Sequence, residues 1–501
     1  MAKNLRIGLK RIMAIMLVLV CFAGYSELNA QAKVVKIRVM YDFNVDTKGM
    51  SILNNKYVDY IKEKTGVQVQ IEAPGASAYD DKMNIVMASG NYPDAVMVYS
   101  RDMVHKFGKD GILTDLAPYI NNTKKYPNIK KYMPADAWIP ITENKKIWAF
   151  PYNRPDGLNQ VVYVRKEWMK KLNLKTPRTI DEFYEVMKAF TYNDPDGNGK
   201  NDTFGLLSKQ AVEYKGIEFG ARMFMPAFDC ASYKIINGKV TPPEITPNYK
   251  DYLKFIKKLV DEKIMDPEYA VTSIPIYMDK LKTGKYGMTS NFWHADQFPE
   301  YRENRVHEVW DAIEPPLKRD GKPSKFTYPT TNRHYMVIPK GTKNIAAIMK
   351  LFDWAVSPEG RRFINLGIEN KEYKIENGKV SIIEQKAPFS QTWVFINSGI
   401  FDDEIKSYFE LTRPKETVQR LELANKVGEL DKLYASLPYY PELATFNLAK
   451  IVDEYREKVI LGGTDIDKTW NDYVAKWRKA GGDKAITYWT AWYKKYGKNI
   501  K

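Results

Sequence analysis

One short polar stretch, residues 193–203, carries side-chain oxygens at alternate positions and a glycine where a tight turn is needed. Its D-x-[DN]-x-[DN]-G pattern is the spacing of a calcium loop, in which alternate residues point toward one centre. Calcium prefers about six to eight oxygen ligands, and the seventh loop position offers a backbone carbonyl. The spacing therefore predicts a structural calcium site formed by Asp194, Asp196, Asn198, Lys200 (through its carbonyl) and Asp202.

The stretch also departs from a complete EF-hand. Its twelfth position is Gly205, where an EF-hand has a bidentate glutamate. Since that glutamate couples the ion to the following helix, we expect no sensor-type opening. The alternative is an Asn/Asp/Gly turn that binds no metal.

The N-terminus has the three parts of an export signal. Basic residues precede an apolar run, Ile12 to Ala23, and Ala30-Gln31-Ala32 supplies a cleavage site. The run is too short to span a bilayer comfortably, so residues 1–32 are predicted to be a signal peptide. Cys21 ends the apolar run, where a lipoprotein carries its lipidated cysteine, but Val20 is not the small residue that such signals prefer. The exported protein is therefore extracellular, at the cell surface or periplasmic, and a lipid anchor through Cys21 stays open.

Composition limits the class of protein. The chain has 501 residues, of which 44% are hydrophobic, enough for at least two domains with substantial cores. The formal net charge of +16 is spread along the chain and not gathered into arms. Together with the export signal and the absence of a nucleic-acid motif, this predicts a solvated basic surface and no nucleic-acid partner.

Alternating apolar residues predict strands at positions 35–40 and 67–71. A third strand is predicted at positions 94–98, with helices between the strands. Such a strand–helix order favours a parallel sheet with crossover helices, and ligands meet the carboxyl ends of its strands. This rule makes Asn44, Tyr99 and Arg101 candidate ligand residues. The C-terminal part carries aromatic residues at helical spacing, which we assign to the core.

Several stretches taken together resemble one family. The protein is similar to the extracellular solute-binding proteins of carbohydrate ABC importers, in the long branch that includes alginate-oligosaccharide and complex-glycan binders. The stretches are Tyr92-Pro93-Asp94, Pro151-Tyr152-Asn153-Arg154, Val164-Arg165-Lys166-Glu167-Trp168, Pro177 to Phe183, Asp194 to Leu206, and Ser357-Pro358-Glu359-Gly360. The sequence departs from this pattern at Thr203, where some relatives have an acidic residue.

The resemblance implies an α/β, two-lobed periplasmic-binding-protein-like fold with crossing hinge strands and a helical C-terminal part. We expect residues 33–155 and 335–400 in the first lobe. Residues 156–334 and 401–501 would form the second lobe, which includes the calcium loop. The implied function is capture of an oligosaccharide between the lobes by a monomer, and its delivery to the permease subunits of an ABC importer.

The alternative function is a secreted calcium-dependent glycan hydrolase or lyase. A glycosidase needs two carboxylates at a set separation and in unlike environments. We find no motif that carries such a pair, and none of the common nucleophile, zinc or phosphate-loop motifs. We therefore predict a binding protein and not an enzyme.

Sugar sites combine flat aromatic faces with a few placed polar groups. After the predicted strand at Tyr286 to Met288, Trp293 stands in a polar stretch and would serve as an exposed stacking platform; the alternative is a core tryptophan. On this prediction, Trp293→Ala weakens sugar binding without unfolding the protein. The proline-bracketed turn near residue 153 would cross between the lobes, or be only a hinge turn. These two segments add the candidate ligand residues Tyr152, Asn153, Arg154, Asn291, Trp293 and His294.

Overall fold

The computed structural model describes residues 34–41, 51, 53–74, 79–153, 160–209, 219–294, 309–328, 330, 332–384, 397–400, 402–497 and 500. The predicted signal peptide, Cys21, Asn44 and Arg154 lie outside the described residues. Within these ranges, no helix combines the length and the apolar character needed to cross a membrane.

The strands of the described residues follow in chain order. They are β1 (Val35–Met40), β2 (Val67–Glu72), β3 (Ala95–Val98), β4 (Thr142–Glu143), β5 (Lys146–Ile147), β6 (Phe150–Asn153), β7 (Gln160–Arg165), β8 (Phe204–Leu206), β9 (Lys234–Ile236), β10 (Lys239–Thr241), β11 (Tyr286–Phe292), β12 (Trp310–Ile313), β13 (Phe326–Tyr328), β14 (Asn332–Val337), β15 (Tyr373–Glu376), β16 (Lys379–Ile382) and β17 (Gly428–Leu430).

The α-helices of the same residues are α1 (Lys56–Thr65), α2 (Tyr79–Ser89), α3 (Arg101–Lys109), α4 (Ala117–Ile120), α5 (Pro127–Tyr132), α6 (Ala135–Trp138), α7 (Lys166–Lys171), α8 (Ile180–Tyr192), α9 (Pro247–Asp261), α10 (Ile274–Lys282), α11 (Ile345–Val356), α12 (Pro358–Leu366), α13 (Asp403–Thr412), α14 (Lys415–Val427), α15 (Lys432–Ser436), α16 (Pro441–Ala444), α17 (Leu448–Ile460), α18 (Ile466–Trp477) and α19 (Asp483–Tyr496).

Local sequence signals set the ends of several of these helices. The Asn55 side chain accepts hydrogen bonds from the backbone N–H groups of Tyr57 and Val58, at 2.9 and 3.1 Å, and so caps α1. Gly66 ends α1 in the left-handed conformation, with φ of 69°. Thr179 and Glu182 form both hydrogen bonds of a capping box at the start of α8.

The first lobe is built on a five-stranded sheet in the order β2-β1-β3-β14-β6. β1 pairs in parallel with β2 and β3, as the strand–helix alternation predicted, and β14 is antiparallel to β3 and β6. Helices α1, α2, α11 and α12 contribute buried apolar residues to its core, among them Tyr57, Met83, Phe352 and Phe363.

The second lobe is built on a four-stranded sheet in the order β12-β7-β11-β8. β7 is antiparallel to β11 and β12, whereas β8 runs parallel to β11. Its core includes α8 and α9 and also the C-terminal helices, whose Trp470, Tyr473 and Trp477 are buried there. The core assignment is thus confirmed for these three residues, whereas it is wrong for Tyr496, which is 47% exposed on α19. Cys230, a free cysteine, is buried in the same core.

The chain passes between the two cores between β6 and β7 and again between β13 and β14. Helix α13 packs beside α12 and the β15–β16 hairpin, and Arg361 pairs with Asp402 at 2.8 Å. Residues 401–501 were expected in the second lobe, whereas α13 contacts α12 and the β15–β16 hairpin, which follow the first-lobe strand β14. The two separate sheets and cores confirm the predicted α/β, two-lobed fold class.

Candidate functional site

The carboxyl ends of β1, β3 and β6 meet the amino end of β14 at one edge of the first sheet. This follows from strand direction, because β14 is antiparallel to its neighbours β3 and β6. Tyr41 follows β1, Tyr99 follows β3, Tyr152 lies near the end of β6 and His334 near the start of β14. Tyr99 and Tyr152, two of the candidate ligand residues, therefore lie at the same edge of the sheet, where both contact His334.

His334 is the centre of an aromatic group, which we call the tyrosine–histidine cluster (Tyr41, Tyr99, Tyr152 and His334). Its ring stacks on Tyr152 with centroids 4.3 Å apart, and it meets Tyr41 and Tyr99 edge-on at 5.5 and 6.4 Å. Tyr99 is 39% exposed, whereas the other three side chains are buried. The cluster thus presents one aromatic ring to solvent on a rigid buried base.

Sequence reasoning missed Tyr41 and His334 as members of this group. Neither of them is among the candidate ligand residues predicted from the sequence. The available signal was position, because Tyr41 directly follows a predicted strand in the same way as Tyr99. No such signal existed for His334, since its place depends on β14 entering the first sheet from far along the chain.

Asn153 lies beside the cluster at the end of β6 and is buried. Its side-chain amide donates to the Ser398 carbonyl at 3.0 Å, and its backbone N–H donates to the Asn397 carbonyl at 2.9 Å. These bonds hold the segment at residues 397–398 against the crossing between the lobes. The described hydrogen bonds of Asn153 are therefore with the protein backbone, and its role toward a ligand stays a prediction.

Arg101 starts α3 at the same edge, but its guanidinium is engaged within the protein. Its Nη1 donates to the carbonyls of Tyr434 and Ala435 at 2.8 and 3.1 Å. The guanidinium carbon lies 5.0 Å from the centre of the Tyr434 ring. The described contacts of the Arg101 guanidinium are thus with the protein itself, and its role toward a ligand stays a prediction. Arg101 joins α3 of the first lobe to α15, which follows the second-lobe strand β17.

The carboxyl end of β11 is the corresponding edge of the second sheet. Phe292 pairs with Gln160, the first residue of β7, so this edge lies beside the start of the strand that follows the first crossing between the lobes. Asn291 belongs to the strand and is buried, in contrast to the polar loop expected there. His294 is half-buried and stacks on Phe292, with centroids 5.3 Å apart.

Trp293 is only 2% exposed, so the prediction of an exposed platform is wrong. It packs in the cluster of buried residues on one face of the second sheet, with Tyr163, Phe219 and Leu421. Its carbonyl accepts hydrogen bonds from Arg420 Nε and from the Tyr163 hydroxyl, both at 3.2 Å. The physical reason is its place at a sheet edge covered by α14, a neighbour that local sequence does not show. Any role toward a ligand stays a prediction.

The predicted calcium loop lies between α8 and β8 and is closed by its own side chains. The Asp194 carboxylate accepts from the backbone N–H groups of Asn198 and Gly199 at 3.0 and 3.1 Å. The Asn198 amide donates to Asp196 at 3.0 Å and to Asp202 at 3.1 Å. These hydrogen bonds join Asp194, Asp196, Asn198 and Asp202 to one another, and the calcium site that the spacing predicts stays a prediction.

Lys285, which no sequence signal singled out, completes this loop. Its ammonium donates to Asp196 Oδ2 and Asp202 Oδ2, each at 2.8 Å. These hydrogen bonds raise the pKa of the Lys285 ammonium and lower the pKa of the Asp202 carboxyl. Within the described residues, no group of three or more His, Cys, Asp or Glu side chains is arranged to hold a metal. The donor types fit calcium, but two carboxylates face Lys285.

Comparison with known proteins decides the family. The family model described as bacterial extracellular solute-binding protein matches residues 46–362, well over half of the chain. The chain belongs to this family. The resemblance drawn from the sequence motifs is confirmed at this level, as is the prediction of a binding protein and not an enzyme. The membership also supports export to the cell surface or periplasm.

This solute-binding protein has relatives of similar length in Bacillus subtilis (strain 168). It is 27% identical to the lipoprotein LipO, over 85% of this chain and 86% of that one. It is also 27% identical to the polygalacturonan/rhamnogalacturonan-binding protein YtcQ, over 89% and 90% of the two chains. The alginate-binding protein AlgQ2, whose crystal structure was solved without calcium ion, superposes with a TM-score of 0.66 at 19% identity, over 93% of this chain and 99% of that one.

Proposed function

We propose that this solute-binding protein captures an oligosaccharide between its two lobes and delivers it, chemically unaltered, to the permease subunits of an ABC importer. The observation that supports the proposal is the tyrosine–histidine cluster, which presents the Tyr99 ring to solvent at the carboxyl end of β3. Sugar rings have flat C–H faces, and carbohydrate pockets combine aromatic surfaces with a few polar groups.

The relatives support a carbohydrate ligand. YtcQ is named for binding polygalacturonan and rhamnogalacturonan, and AlgQ2 for binding alginate. Both names describe acidic glycans, and this chain has a net charge of +16. The panel used to identify the ligand should therefore include uronate-containing oligosaccharides beside neutral ones.

Closure would be a hinge motion around the crossings between the lobes. A ligand drives such closure only if it binds the closed state more tightly, which requires contacts to both lobes. The edge of the first sheet at Tyr99 and the edge of the second sheet at His294 both border the hinge. We assign these two edges to the opposing walls of the site.

The decisive experiment is calorimetry of the mature protein against the glycan panel, followed by chromatography of the same mixtures. We expect one sugar per protein molecule, bound and recovered at its original length. Shortened or unsaturated products would instead support the secreted hydrolase or lyase alternative.

Tyr99→Ala should weaken sugar binding about tenfold or more, which corresponds to about 1.4 kcal/mol. The reason is the loss of the exposed ring, while the buried base of the cluster remains. Tyr99→Phe, which keeps the ring, should bind nearly as well as the wild type. Tyr496→Ala is a matched control, since Tyr496 is similarly exposed at 47% but lies on the C-terminal helix. If Tyr99→Ala and Tyr496→Ala bind the sugar equally well, Tyr99 is not the aromatic surface that contacts it.

We further propose that the loop of Asp194, Asp196, Asn198, Lys200 and Asp202 binds a structural calcium ion. Three carboxylates, an amide oxygen and a backbone carbonyl suit a hard cation. When bound, the ion would neutralise the loop and tie α8 to β8. It would take no part in chemistry on the sugar.

Asp196→Ala should abolish the stabilisation by calcium. At about 100 times its Kd, calcium should add about 2.7 kcal/mol to the wild-type free energy of unfolding. Melting curves with calcium and with chelator measure this difference. Asp59→Ala, which removes an exposed carboxylate paired with Lys62 in the first lobe, should keep the full difference. Identical wild-type melting with calcium and with chelator would contradict the metal site.

We also propose that the mature protein is a monomer that binds no nucleic acid.

We further propose that a lipid on Cys21 anchors the exported protein to the membrane if the signal is processed as a lipoprotein signal. LipO is named as a lipoprotein, which supports the anchor. Mass spectrometry of the exported protein distinguishes the two forms. A diacylglyceryl-modified Cys21 at the N-terminus supports anchoring, whereas a chain that begins after Ala32 supports free secretion.

A further inference from the structure

Among the described contacts, Lys285 supplies the one charged nitrogen that contacts two carboxylates of the proposed calcium loop. Its Nζ lies 2.8 Å from both Asp196 Oδ2 and Asp202 Oδ2, and the remaining oxygens of this pair face Asn198. The residue comes from a different element, directly before β11, and is separated from the loop by more than 80 positions. Its contact with the loop is therefore tertiary and not part of the loop motif.

We propose that Lys285 is a tethered cation that competes with calcium, neutralising the loop when the ion is absent and leaving it when the ion binds. The inference rests on the proposed calcium site and extends it by naming the residue that limits its affinity. Ligand charge count and site rigidity tune calcium affinity, so an internal positive charge at the ligands weakens binding.

The geometry requires that calcium replace the Lys285 ammonium at Asp196 and Asp202, because the two cations cannot contact the same carboxylate oxygens together. Calcium binds carboxylate oxygens at about 2.3–2.6 Å. An ammonium at 2.8 Å from the same two oxygens would lie within a few ångström of the ion, where like charges repel strongly. Because the Lys285 side chain is about one-third exposed, it has solvent into which it can turn.

The competing cation also ties the loop to the second sheet. β8 begins directly after the loop and pairs with β11, which begins directly after Lys285. The backbone N–H of Phe204 donates to the Lys285 carbonyl at 2.8 Å. Either cation would therefore hold the start of both strands, so that loss of calcium leaves the sheet in register.

The test is calcium titration by calorimetry of the wild type, Lys285→Met, Lys285→Arg and Lys282→Met. Lys282→Met is the matched control, because it removes a nearby positive charge that pairs only with Asp279 on the exposed face of α10 in the described contacts. We expect Lys285→Met to bind calcium about tenfold more tightly, and Lys285→Arg and Lys282→Met to bind like the wild type.

Melting curves provide a second measurement. In chelator, Lys285→Met should melt about 2–4 °C below the wild type, because its carboxylates then have no counter-charge. With saturating calcium the two should melt alike. Equal calcium affinities of the wild type and Lys285→Met would overturn the competition while leaving the calcium site intact. If neither protein binds calcium, the proposed calcium site and the proposed competition by Lys285 are both wrong. If only Lys285→Met binds calcium, Lys285 does compete with the ion, but calcium is not a cofactor of the wild-type protein.

Discussion

Trp293→Ala should lower the free energy of unfolding by about 3–5 kcal/mol, the usual effect of deleting a fully buried aromatic side chain. Trp293 is 2% exposed and packs among buried residues of the second lobe, including Tyr163 and Leu421. The alanine would leave a cavity at the sheet edge where β11 ends. Urea denaturation followed by circular dichroism measures the loss without depending on tryptophan fluorescence.

Trp293→Phe is the control variant for the loss of the buried ring in Trp293→Ala. Phenylalanine keeps most of the buried ring, so its destabilisation should be clearly smaller than that of alanine. Sugar affinity of both variants should be measured at a temperature where each is folded. If Trp293→Ala keeps the wild-type stability but loses sugar binding, Trp293 is the exposed sugar-stacking residue that the sequence alone predicted.

Gly205→Ala should destabilise the second lobe by about 3 kcal/mol, at the upper end of what overpacking usually costs. A Cβ at this position would lie 2.2 Å from the Met187 carbonyl oxygen, which belongs to the backbone of α8 and cannot turn away. The Gly205 N–H also donates to Thr191 Oγ1 at 2.9 Å, which fixes the close approach of β8 to α8. Denaturant unfolding of the purified protein tests the size of the effect.

Gly199→Ala is the matched control in the same segment. Gly199 has φ of 73°, but no heavy atom lies within 4 Å of its added Cβ, so only the left-handed conformation is penalised, by about 1 kcal/mol. A Gly205→Ala variant no less stable than Gly199→Ala would contradict the close approach. The same contact explains why the loop does not end in the EF-hand glutamate, because no side chain fits at Gly205.

Local patterns in the sequence were sufficient for the elements and for the loop. The alternation at residues 35–40 and 67–71 predicted β1 and β2, and the order of strands and helices predicted their parallel pairing. Dihedral preferences, periodicity and capping act over a few residues, so they can be read from neighbouring positions. The predicted strand at residues 94–98 also implied that Tyr99 follows a strand end, as it does after β3.

The sequence by itself thus determined the family resemblance, the two-lobed α/β class and the spacing of the proposed calcium ligands. Tertiary structure decided which side chains are available. It buried Trp293, used Arg101 to join α3 to α15, centred the aromatic cluster on His334 and brought Lys285 to Asp196. The physical reason is that exposure and charge pairing depend on partners far apart in the chain, which meet only after the strands have paired and the helices have packed.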